Sequence, residues 1–111
     1  MNNKLKHIQD WLELAKRANW SVKKMAKECE VSVRALELYF LKTKSKPPKV
    51  WMIEERQRLA VEWLSGGASV KETSAMLGYK YANHFSREFK LFWGHSPTRL
   101  GTKAYNFRVL V

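Results

Sequence analysis

The chain has 111 residues, 45% of them hydrophobic, with 21 Lys and Arg against 10 Asp and Glu and a formal net charge of +11. That length fits one ordinary domain or two very small ones, and the hydrophobic content is enough for a real core and argues against a mostly disordered chain. So large a positive excess points to a polyanionic partner, nucleic acid ahead of an anionic membrane surface.

The single cysteine, Cys29, excludes an intrachain disulfide and fits a reducing compartment; its neighbours Met25 and Val31 mark it as a core thiol. Met1 to Asp10 has no signal-peptide apolar stretch, and no run approaches the ~18 apolar residues of a membrane span. The expected location is the cytoplasm, in association with the nucleoid.

In chain order, Leu5, Ile8, Trp11, Leu12 and Ala15 fall at helical spacing and predict one amphipathic opening helix ending near Asn19. Ser21 stands as an N-cap before a second helix whose buried stripe is Val22, Met25, Ala26 and Cys29. Glu30-Val31 makes a turn, and Ser32 caps a third helix running to about Lys42 with Leu36, Tyr39 and Phe40 inward. Lys42 to Pro48 breaks the pattern, and Pro48 opens a helix to about Leu64 carried by Trp51, Met52, Glu55, Leu59, Trp63 and Leu64. At 1.5 Å per residue this spacer is roughly 22 to 25 Å long. Ser65-Gly66-Gly67 ends it.

Ser69 then caps a helix with Val70, Thr73, Ser74 and Leu77 inward, Gly78-Tyr79 turns, and a last helix spans about Tyr81 to Trp93 with Phe85, Phe89 and Phe92 in register. Thr73 and Ser74 put hydroxyls near a core, where they can bond back to the preceding turn. Gly94 and Pro97 stop the last helix, and Tyr105 to Val111 has strand-like composition that reads equally as a docked extension or a disordered end.

The organising feature is a repeat. Ser21-Val22-Lys23 recurs as Ser69-Val70-Lys71, and after one extra residue Leu36 and Phe40 align with Phe85 and Phe89. Each copy reads as short helix, tight turn and second helix, a helix-turn-helix, and two of them in a basic chain point to duplex DNA. The expected organisation is an N-terminal subdomain over 1–47, a linker helix over 48–65, a C-terminal subdomain over 66–100 and a tail over 101–111.

The run Gly78-Tyr79-Lys80-Tyr81-Ala82-Asn83-His84-Phe85-Ser86-Arg87-Glu88-Phe89-Lys90, followed by Gly94-His95-Ser96-Pro97, resembles the DNA-binding domain of AraC/XylS-type bacterial transcription regulators. Their pattern there is Gly-Phe, a few polar residues, Phe-Ser-Arg-x-Phe-Lys, then Gly-x-x-Pro. Met25-Ala26, Ser32 and Phe40 match the first half, and Arg56 with Ala60, Trp63 and Leu64 looks like the family's linker helix. The resemblance covers about Asp10 to Arg99. It implies an all-α fold of about seven helices, in which two helix-turn-helix subdomains are joined by a rigid helix. Such domains bind as monomers to asymmetric sites, with recognition helices in successive major-groove segments ~34 Å apart.

Carried across position by position, the resemblance makes Arg34, Glu37 and Leu38 the readers of the first recognition helix. Arg34 can fork onto guanine, Glu37 can accept from a cytosine amino group, and Leu38 offers apolar contact to a thymine methyl. Leu38 departs from the polar or basic residue common there. Glu30 departs from a turn glycine, which predicts a strained or altered turn. In the second copy Ala82, Asn83, His84, Ser86 and Arg87 take the groove-facing positions, Asn83 suited to adenine and Arg87 to guanine. Phosphate candidates are Lys23, Lys24, Lys42, Lys44, Lys46, Lys71, Lys80 and Lys90, with Ser21, Ser32 and Ser69 marking helix-terminal amides.

An enzyme is not expected, nor any cofactor or metal. His7, His84 and His95 lack ligand spacing, no glycine-rich phosphate cradle is present, and His84 with Glu88 at i, i+4 fits a recognition helix better than a catalytic pair. The expected partner is double-stranded DNA, bound by a monomer, with RNA polymerase a candidate second partner and no membrane role. The leading reading is a sequence-specific regulator of AraC type. The alternatives are an architectural or DNA-processing protein of low specificity and a helix-turn-helix that docks protein. The chain reads either as a standalone regulator or as a fragment lacking an effector domain.

Overall fold

A computed structural model describes residues 3–98, and these form seven helices and no strand. The helices are α1 (Asn3–Lys6), α2 (Trp11–Arg17), α3 (Val22–Glu28), α4 (Val33–Lys44), α5 (Pro48–Ser65), α6 (Val70–Met76) and α7 (Ala82–Trp93). The chain divides into two compact units between Glu55 and Arg56, so α5 begins in one and ends in the other. The expected reading of residues 101–111 lies outside the described residues.

The opening segment corrects the sequence reading. It is two helices rather than one, because the Asp10 side chain accepts from the Glu13 amide at 2.9 Å and starts α2 afresh. An aspartate bonded to the third amide ahead of it cannot also continue a helix behind it. Within α2 the buried residues are Trp11, Leu14 and Ala15, while Leu12 is only partly covered.

The two units repeat position by position. Both α3 and α6 have seven residues, and both α4 and α7 have twelve. Ser21, Ser32 and Ser69 cap as expected, accepting from Lys24, Ala35 and Glu72 at 3.2, 3.0 and 3.0 Å. At Ser69 the cap is reciprocal: the Glu72 carboxylate accepts from the Ser69 amide, which holds that carboxyl below its usual range.

The helix ends repeat as well. Lys27 and Ala26 carbonyls accept from Glu30 and Val31, as Ala75 and Ser74 carbonyls do from Gly78 and Tyr79. This paired closure needs a left-handed residue, and Glu30 has φ 57° where Gly78 has φ 83°. Two further pairs are also left-handed: Asn19 (φ 54°) against Gly67 (φ 106°), and Ser45 (φ 61°) against Gly94 (φ 86°). The second copy places glycine at all three positions and the first at none.

The first core holds Trp11, Leu14, Met25, Ala26, Leu36, Phe40, Trp51 and Met52, with the Trp11 and Phe40 rings edge-on at 4.8 Å and Phe40 on Trp51 at 5.5 Å. Cys29 is buried there, and burial pushes its thiol pKa up, as an inert core thiol requires. The second core centres on Leu77, Phe85 and Phe89, with the two phenylalanine rings at 5.8 Å. Along α5 the buried residues are Pro48, Trp51, Met52, Gln57, Ala60, Val61 and Leu64; the expected Glu55, Leu59 and Trp63 are only partly covered. Phe92, expected inside, is 42% exposed.

Thr73 and Ser74 are buried where the first copy has Met25 and Ala26. The expected return bond from Thr73 does not form: its hydroxyl has no hydrogen-bond partner among the described residues. Thr73→Val, nearly isosteric, should therefore stabilise the protein by about 1 kcal/mol, read as a higher melting temperature. The left-handed turns predict opposite signs. Gly78→Ala should cost about 1–2 kcal/mol, whereas Glu30→Gly should be neutral or stabilise by up to about 1 kcal/mol, both measured by urea unfolding.

Candidate nucleic-acid interface

The long second helix of each unit buries one stripe and exposes the other. On α7, Phe85 and Phe89 are fully buried, while Ala82, Asn83, His84, Arg87 and Lys90 are exposed and Ser86 is half-buried. Asn83, Arg87 and Lys90 succeed one another at i, i+4 and i+7, so they share one outward face. On α4, Leu36 and Phe40 are buried, Arg34 and Leu38 are exposed, and Glu37 is half-buried. Arg34, Leu38 and Leu41 form its outward line, the two leucines 50% and 47% exposed.

With the 49-residue offset, Leu38 stands where the second helix has Arg87, and Leu41 where it has Lys90. One outward face is therefore largely apolar and the other polar and cationic. The helix starts differ too. Ser32 caps α4, but the equivalent Tyr81 makes no side-chain bond to the start of α7.

The phosphate candidates separate on inspection. Lys23, Lys24, Lys42, Lys71, Lys80 and Lys90 are exposed. Lys46 is engaged by Glu54 at 2.5 Å, and both side chains are about two-thirds covered. Lys44 lies over the Phe40 and Trp51 rings at 5.6 and 5.5 Å, tying its ammonium to the core edge. Lys80 sits over the Tyr81 ring at 5.5 Å, and His84 meets the same ring edge-on at 5.5 Å. The hydroxyls of Ser21, Ser32 and Ser69 are occupied as caps.

Sequence reasoning missed a polar cluster beside α7. Arg56 donates through Nη2 to the Leu77 carbonyl at 3.1 Å, at the end of α6, and its guanidinium lies 3.9 Å from the centre of the Tyr79 ring. The Tyr79 hydroxyl donates to the Glu88 carboxylate on α7. Burial lowers the Arg56 pKa, with Tyr79 and Glu88 pulling it back up, while burial and the bond to Glu88 raise the Tyr79 phenol above its ordinary range. These residues, with Gly78, Lys80, His84, Arg87 and Leu91, line a cleft of about 440 Å³. The available signal was Tyr79 itself. A tyrosine at a position patterned for phenylalanine brings a hydroxyl that needs a partner when half-buried.

Comparison with known proteins agrees with this geometry. The family model described as a helix-turn-helix domain matches residues 25–103, which takes in both turns and both long helices α4 and α7. The chain belongs to the AraC-type helix-turn-helix family. An uncharacterized HTH-type transcriptional regulator, YidL of Escherichia coli (strain K12), is 33% identical over 88 residues. That alignment covers 78% of this chain and 30% of YidL, so the chain spans less than a third of that relative's length. No solved structure matches. Among the described residues no helix is long and apolar enough to cross a membrane, and no cluster of three or more His, Cys, Asp or Glu side chains forms a metal site.

The state of each lysine gives an ordered expectation for DNA titrations across salt concentrations. Lys90→Ala or Lys42→Ala should reduce the log–log salt slope by about 1. Lys46→Ala should leave it unchanged, because Glu54 already neutralises that ammonium.

Proposed function

We propose that the chain is a sequence-specific DNA-binding regulator of transcription. It acts as a monomer, laying α4 and α7 into successive major-groove segments of an asymmetric site with α5 as the spacer. The observation that carries this reading is the repeat itself. Two helix-turn-helix units match in the serine cap of the first helix, in the left-handed turn and in helix lengths, and each exposes one stripe of its long helix. Two such helices in one chain supply the two half-site contacts for which a helix-turn-helix dimer needs a palindrome.

The halves take different work. On α7, Asn83 and Arg87 are the base readers, suited to adenine and guanine, with Ala82, His84 and Ser86 beside them. The first-turn amides of α7 have no side-chain cap, and a backbone phosphate fits there. On α4, Arg34 is the cationic reader and Leu38 offers apolar surface to a thymine methyl, with Glu37 behind them. The exposed lysines grip phosphate and supply most of the affinity without reading sequence.

A second reading has one observation in its favour. Val33, Leu38 and Leu41 are all exposed on α4, which suits a protein partner such as RNA polymerase at that unit. Leu38→Ala separates the two. Loss of DNA preference at one position supports base contact, and unchanged DNA binding supports a protein surface.

Selection of bound duplexes from a random library should enrich one asymmetric motif of two adjacent half-sites, preferred by ~10³-fold or more over random duplex. Arg87→Ala should then cost about 1–3 kcal/mol and relax one base position, where a phosphate contact would weaken all sequences alike. Absence of any enriched motif would rule the regulator reading out.

A further inference from the structure

The cleft beside α7 holds one acidic side chain among cations. Glu88 shares it with the cationic Arg56, Lys80 and Arg87 and with the His84 ring. A carboxylate there opposes DNA binding in two ways. It repels phosphate, and it competes with DNA for the cations that line the same wall. His84 lies one turn before it at i, i+4, the spacing of neighbouring positions on a helix surface.

The hydroxyl of Tyr79 engages that carboxylate. It donates to the Glu88 carboxylate, while the ring below is held by the Arg56 guanidinium at 3.9 Å, itself fixed by its bond to the Leu77 carbonyl at 3.1 Å. Charge-assisted hydrogen bonds are the strong ones, and this carboxylate is half-buried beside a guanidinium. In the first unit the equivalent positions are Val31 and Tyr39, and Tyr39 packs on Trp11 with ring centres 5.9 Å apart. The polar tether thus belongs only to the unit whose outward face is cationic.

We infer that Tyr79, held by Arg56, is a positioning residue for DNA recognition: it sequesters the Glu88 carboxylate and so keeps Lys80, His84 and Arg87 available to DNA. The inference rests on the DNA-binding reading above. A purely structural role for the cluster predicts that loss of the hydroxyl acts through stability. Sequestration predicts that the loss acts through the charge of Glu88, and that removing this charge reverses it.

The test is a double-mutant cycle of Tyr79→Phe and Glu88→Gln, with affinity for the selected duplex measured across salt concentrations and melting followed in parallel. Phenylalanine keeps the ring under Arg56, so Tyr79→Phe should melt close to wild type yet bind about fivefold to tenfold more weakly. Its salt slope should be shallower by about 1. Adding Glu88→Gln should restore binding to within about twofold of Glu88→Gln alone. Equal gains from Glu88→Gln in both backgrounds, or wild-type affinity for Tyr79→Phe, would overturn the inference.

A second measurement needs no variant and no DNA. The Tyr79 hydroxyl proton of the wild-type protein should be visible by NMR, and fast exchange with water would show that no tether exists. Absence of salt-dependent duplex binding by the wild type would instead overturn the DNA-binding reading, with the proton measurement still deciding the tether.

Discussion

Both units depend on one backbone constraint, the left-handed residue between the two helices of the motif. The last turn of α3 or α6 leaves carbonyls with no partner inside the helix. A residue at positive φ folds the chain back so that its own amide and the next one reach those carbonyls. The same reversal fixes the direction in which the following long helix departs. Glu30 and Gly78 therefore decide which faces of α4 and α7 are buried and which are left outward. Glycine takes the conformation at little cost. Glutamate takes it at a cost, between the buried Met25, Ala26, Leu36 and Phe40 that pack on either side of the turn.

From that shared frame the two units have diverged in the polarity of what they bury and what they show. The first packs Trp11, Tyr39, Phe40 and Trp51 in a run of ring contacts and turns Leu38 and Leu41 outward. The second buries Gln57, Thr73 and Ser74, binds its helices through Arg56, Tyr79 and Glu88, and turns Asn83, Arg87 and Lys90 outward. Burying polar groups weakens a core, and hydrogen bonds to charged groups offset part of that loss only when they are directional. The second unit thus gains its cationic face together with a fixed polar support, while the first relies on area and shape.

The charge of the chain is also divided. A net charge of +11 describes the whole chain, but each lysine is engaged differently. Lys46 is neutralised by Glu54, Lys44 is drawn over two rings, and Lys80 over one, whereas Lys42, Lys71 and Lys90 are exposed. Composition predicts attraction to a polyanion. Only the contacts say which ammonium groups are spent inside the protein.

The sequence by itself determined what rests on local chemistry and periodicity. Serines placed before apolar stripes located three helix starts, Pro48 located a fourth, and the spacing of Leu36 with Phe40 and Phe85 with Phe89 named the core faces. These signals act within a turn or two, so they survive without knowledge of the fold. The break at Asp10 was legible in the same way, and was hidden by an apolar spacing that runs through it. Tertiary structure decided the rest. It set which face of α5 is buried, left the Thr73 hydroxyl without a partner among the described residues, exposed Phe92, and brought Arg56, Leu77, Tyr79 and Glu88 together from two helices and the turn between α6 and α7. The physical reason is that burial and charge pairing depend on neighbours distant in sequence. Arg56 and Leu77 are 21 residues apart, and nothing in either residue's local pattern encodes the other.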